Sequence, residues 1–137
     1  MPKSESLNFT QEINTKGVTI ANSDASNTKT IYTGAGNDAV VKAVTVCSTD
    51  STARTLLFFV NDGTSDFMLG AVSIPAGSGS NGTASNVDVL SVIQGLANDS
   101  YGKKILLLNS GSVLKVRSTT TVTTATQVDV LCQIEEY

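Results

Sequence analysis

Apolar residues fall in short runs along this chain, separated by clusters of Gly, Asn, Asp and Ser, a punctuation that predicts strands and turns rather than long helices. Residues 39–48 (AVVKAVTVCS) and 54–61 (RTLLFFVN) are β-branched and nearly all apolar, which predicts strands packed on both faces. Asn61-Asp62-Gly63-Thr64-Ser65 then places an Asp-Gly pair between two apolar runs, a hairpin signal whose second strand is 66–74. Pro75, which has no N–H for a ladder, ends that strand. Residues 104–108 and 113–117 flank Asn109-Ser110-Gly111-Ser112 as a further hairpin. Its second strand alternates Leu114 and Val116 with Lys115 and Arg117, so one face is wet. In a last strand, 127–135, Val128, Val130, Cys132 and Ile134 share the buried face.

The remaining segments give weaker signals. A short strand is expected at 28–33, closed by the turn-forming cluster Gly34-Ala35-Gly36-Asn37-Asp38. Residues 77–85 read as a flexible loop. In 87–96, Val89, Leu90, Val92, Ile93 and Leu96 suit one face of a short helix. The Thr-rich run 118–126 favours extended backbone and tolerates water, so it reads as an exposed strand or hairpin edge. Near the start, Leu7, Phe9 and Ile13 alternate among polar residues. Residues 1–17 are therefore read as an extended arm whose Leu7, Phe9 and Ile13 bind a partner, and 18–137 as a single domain. About eight strands and at most one short helix near 87–96 imply an all-β, two-sheet sandwich of jelly-roll type.

A chain of 137 residues can bury roughly two thirds of its unfolded surface in one core. The net charge of -3 and the scattered distribution of nine Lys and Arg residues offer no basic stripe, so no nucleic acid partner is expected. No stretch approaches the ~18 apolar residues of a spanning helix, and no apolar leader is visible, so neither a membrane nor a secretory route is expected. The acceptor tripeptides at Asn8, Asn81 and Asn98 then carry no glycosylation meaning. Cys47 and Cys132, each inside an apolar run, are expected to be buried free thiols.

The chain contains no His, which removes the commonest general base and metal ligand. Two distant cysteines without a CxxC pair cannot build a four-ligand zinc site. Gly77-x-Gly79-x-x-Gly82 matches a dinucleotide fingerprint formally, but Thr83 to Asn86 separate the glycines from any helix start, and a solvent loop is the better reading. Asp62-Gly63-Thr64-Ser65-Asp66 spaces oxygen donors as a calcium loop does, yet lacks the distal bidentate Glu, and the hairpin turn already explains these residues. Asp50, Asp88, Asp99, Asp129, Glu135 and Glu136 form no recognisable catalytic pair and read as solvated surface charge. No enzyme activity, cofactor or metal is expected.

Residues 44–50 (VTVCSTD), 54–63 (RTLLFFVNDG) and 69–77 (LGAVSIPAG) together resemble small virion proteins of tailed phages, the capsid decoration or cement proteins. A later piece, 105–116 (ILLLNSGSVLKV), resembles the family's hairpin, with Asn-Ser-Gly-Ser where Pro-Ala-Gly-Ser is usual, and the likeness spans residues 40–136. The resemblance implies a jelly-roll homo-oligomer, dimer or trimer, made in the bacterial host cytoplasm. It would sit on the capsid exterior and clamp neighbouring major capsid protein subunits. Two alternatives stay open: a tail, fibre or head-fibre module that touches a host receptor or carbohydrate, and a free carbohydrate-binding sandwich. Against them stand the lack of Trp platforms and of any repeat or coiled-coil stem.

Overall fold

The computed structural model describes residues 12–34 and 36–137. Ten strands follow one another: β1 (Glu12–Ala21), β2 (Lys29–Thr33), β3 (Ala39–Ser48), β4 (Arg54–Asn61), β5 (Asp66–Ile74), β6 (Val87–Asp88), β7 (Ala97–Asn98), β8 (Lys104–Leu108), β9 (Val113–Ser118) and β10 (Gln127–Glu136). A single helical turn, α1 (Val89–Val92), links β6 to β7.

The strands build two antiparallel sheets, ordered β1-β10-β3-β8-β7, with β6 added on β3, and β2-β9-β4-β5. Setting aside the two-residue β6 and β7, the eight principal strands run 1-8-3-6 in one sheet and 2-7-4-5 in the other. That order is a jelly roll, so the fold expected from the strand pattern is the fold found. The core lies between the sheets and follows the period of two. Val41, Val44 and Val46 of β3 and Val128, Val130, Cys132 and Ile134 of β10 face Leu56 and Phe58 of β4 and Leu114 and Val116 of β9.

Several expectations need correction. Strands β3 and β4 are central in their sheets but bury only one face fully. Val40, Thr45, Cys47, Leu57 and Phe59 point outward and are half-buried, because no third layer covers them. The Thr-rich run adds no strand: β9 ends at Ser118, and the backbone then turns so that Val122 plugs the core and Thr123 reaches a buried carboxylate. The helical run 87–96 shrinks to one turn, since Ile93 is already extended and only Val89, Leu90 and Ile93 of its apolar side chains are buried. The loop 77–85 is tied down on the end of β3, where the Ser78 carbonyl accepts the Ser48 N–H and Ser80 Oγ donates to the Ser48 carbonyl.

The boundary drawn at residue 17 falls inside β1. All ten β1 residues pair with β10, from Glu12 opposite Glu136 to Ala21 opposite Gln127. Ile13 lies on the outward face of this strand, opposite to Val18 and Ile20, which turn inward, and the open flank of β10 supplies the ladder that fixes it. Leu7 and Phe9 lie outside the described residues.

Candidate interaction surface

Buried polar contacts lie at both ends of the sandwich. Asp50 follows β3 with 0% of its surface exposed, and its carboxylate accepts four hydrogen bonds: from the Thr52 N–H, Arg54 Nε, the Thr123 N–H and Thr123 Oγ1. Arg54 adds bonds from its two terminal nitrogens to Thr120 Oγ1 and Thr123 Oγ1, so the guanidinium straps the Thr-rich loop to the end of β4. Burial pushes the Asp50 carboxyl up. The bonds from Arg54, Thr123 and Thr52 outweigh it and hold the group well below the usual carboxylate range. A second buried contact joins the sheets where the Tyr32 hydroxyl donates to Glu136 Oε1, and burial together with that carboxylate raises the phenol. Asp50 and Glu136 are thus interior structural groups, a correction to the solvated reading. No pattern signal marks a lone Asp in a polar link as buried.

The motifs weighed for chemistry resolve into turns. Asp62 Oδ1 accepts the N–H groups of Thr64 and Ser65, Asn61 Oδ1 accepts the Gly63 N–H, and Asp66 Oδ1 takes bonds from Asn61 Nδ2 and Lys115. Those oxygens close the β4–β5 hairpin, whose Gly63 sits at φ 103°, a conformation that favours glycine. Around Gly77 and Gly79 the N–H groups a phosphate would need are spent on carbonyls, Gly77 on Asp50, Ser78 on Pro75, Gly79 on Ala84 and Ser80 on Gly77. Among the described residues no group of His, Cys, Asp or Glu is placed to hold a metal ion, and no helix is long and apolar enough to cross a membrane.

What the fold presents outward is a broad, weakly charged sheet face. On the outer side of the six-stranded sheet Leu107 and Leu131 stand exposed, and Ile13 is 74% exposed near the outer edge. A hollow of about 410 Å³ opens between β1, β10 and β3, lined by Gly17, Thr19, Thr45, Cys47, Asp129 and Leu131. Gly17 helps keep it open, since a Cβ there would meet Leu131 Cδ1 at 3.3 Å. Two carboxylates of this face are partnered within the chain: Asp129 accepts bonds from Thr19 Oγ1 and Gln127 Nε2, and Glu135 pairs with Lys42 at 3.8 Å. A docking partner would have few bare charges to desolvate here.

Both cysteines are free, but they differ. Cys132 is buried in the core, and burial pushes its thiol up to about 11. Cys47 belongs to the outward face of β3 and is half-buried at the hollow, contrary to the expectation of burial. Titration with an aromatic disulfide reagent should therefore show two phases, Cys47 reacting roughly tenfold or more faster than Cys132, which waits for unfolding. Equal rates in the folded protein would contradict this placement.

No family model matches the chain, and no curated protein matches it. Among solved structures it is similar to a pentameric capsid protein isolated from metagenomic phage sequences, with 20% identity and a TM-score of 0.38. That alignment covers 90% of this chain and 60% of the other.

Proposed function

We propose that this chain is a structural virion protein that binds the exterior of a tailed-phage capsid and cements neighbouring major capsid protein subunits. The observation that carries the reading is the outer face of the six-stranded sheet, where Leu107, Leu131 and the hollow beside Cys47 sit near the Asp129 and Glu135 carboxylates, both partnered within the chain. Such a face docks by burying area on a rigid scaffold and needs no reacting group. The residues that resemble cement proteins support it too. They lie on β3 and β8, which contribute to that face, and on β4, β5 and β9 of the opposite sheet.

The reading is tested on gradient-purified particles, whose heads should retain this chain after tails are detached. Recovery with the tails would favour the fibre alternative instead. On purified heads stripped of the protein, the double substitution Leu107→Asp with Leu131→Asp should weaken attachment about tenfold or more, at least ~1.4 kcal/mol. Both side chains are exposed, so the melting temperature should stay nearly unchanged. Undiminished attachment would remove this face from the interface.

A further inference from the structure

Strand β1 is the outer member of its sheet, and among the described residues no strand pairs with its free side. The Lys29 ammonium covers that region only at the carbonyl of Thr19. Over residues 12–17 the strand is exposed to an unusual degree: Glu12, Ile13, Thr15, Lys16 and Gly17 are exposed and Asn14 half-buried. The ladder with β10 is unbroken along β1, with no bulge to twist the edge away. Neither Glu12 nor Lys16 belongs to a salt bridge among the described residues.

We propose that the edge of β1 pairs antiparallel with the same edge of a second copy of this chain, about a two-fold axis at Asn14. This deepens the homo-oligomer implied by the cement reading by naming its contact. Charge complementarity selects both the occupant and the register. A two-fold axis perpendicular to the sheet keeps every residue on its own face, so only residues of equal parity can stand opposite one another. With the axis at Asn14, Glu12 of each copy meets Lys16 of the other on one face, while Ile13 meets Thr15 on the opposite face. The pairing thus makes two symmetry-related ion pairs and covers the exposed Ile13. Moving the axis to Thr15 sets Glu12 against Val18, and a parallel arrangement sets Glu12 beside its own copy. Neither makes an ion pair. The segment is its own complement in one register, which a heterologous strand has no reason to match.

Sedimentation of the free, full-length protein over a micromolar concentration series should show a monomer–dimer equilibrium. Glu12→Lys alone and Lys16→Glu alone should each weaken the dimer about tenfold or more, because each sets like charges opposite one another twice. Mixed in equal amounts, the two variants should recover a dimer of wild-type strength, since both contacts between unlike copies then set a lysine against a glutamate. The double variant should dimerise with itself for the same reason. Circular dichroism should find every variant folded, as both positions are exposed. A wild-type monomer, a trimer or higher ring, a dimer indifferent to both reversals, or reversals that fail to rescue one another would each overturn the contact. Head attachment is measured separately. A monomer that still cements heads ends this proposal alone, and a rescued dimer that ignores heads ends the cement reading alone.

Discussion

Replacing Asp50 by Ala is expected to destabilise the protein by about 3–5 kcal/mol, because it leaves the Arg54 guanidinium and the Thr123 N–H without the carboxylate they converge on. For a domain of this size that is a fall in melting temperature on the order of 10–20 °C by calorimetry. The mechanism is local: without Asp50 the Thr-rich loop loses its anchor, and Val122, fully buried in the core, loses the strap that holds it there. The pH dependence has a definite sign. Since the folded carboxyl titrates below its unfolded value near ~3.9, the stability it contributes is complete above that value and is lost as the pH falls through the lower, folded one. The gap between wild type and Asp50→Asn should therefore be constant above about pH 5 and narrow progressively in acid. A gap that widened in acid would mean the carboxylate is not the stabilising form.

The second large effect separates two adjacent aromatics. Phe58 is 1% exposed at the centre of β4, opposite Val116 of β9 and Gly70 of β5, and Phe58→Ala should cost about 3–5 kcal/mol through lost burial and the cavity left behind. Phe59 points the other way, half-buried under the Arg117 guanidinium at 5.9 Å from its ring centre. Its replacement by Ala should cost only about 1 kcal/mol. Urea unfolding of both variants measures the difference, and equal costs would mean that β4 is packed on both faces after all.

Those two phenylalanines also mark how far the sequence could be read. The ends of β3, β4 and β5 were legible because each run is bounded by a residue with a backbone reason to stop it: Gly36 in the turn before β3, Gly63 in the hairpin and Pro75 after β5. Which faces are covered was not legible, because an outward Leu57 or Cys47 carries the same apolar signal as an inward Leu56 or Val46. Strand β1 hid for another reason. Its first half has Asn14 and Lys16 in the register of Val18 and Ile20, where a half-buried strand would place apolar residues, and what orders it is the ladder with β10. The Thr-rich run misled through propensity: β-branched residues favour a strand, but Thr123 satisfies Asp50 only from a loop. Of the candidate partner-binding residues, Ile13 is outward and exposed, although an apolar residue between polar neighbours in a strand ordinarily marks the buried face.

The place of β10 between β1 and β3 sets a timetable for how this molecule comes into being. Every pair along β1 and β10 joins residues at nearly opposite ends of the described chain, so contact order is high and folding belongs among the slow sandwiches, on the order of milliseconds to seconds. While the chain is being made, β3 emerges early and waits for the neighbour that will lie against it. Until β10 has cleared the ribosome, β3 has an open flank and β1 has no partner at all. The six-stranded sheet is therefore completed only once β10 has been made, and until then β3 depends on its pairing with β8 and β6 alone.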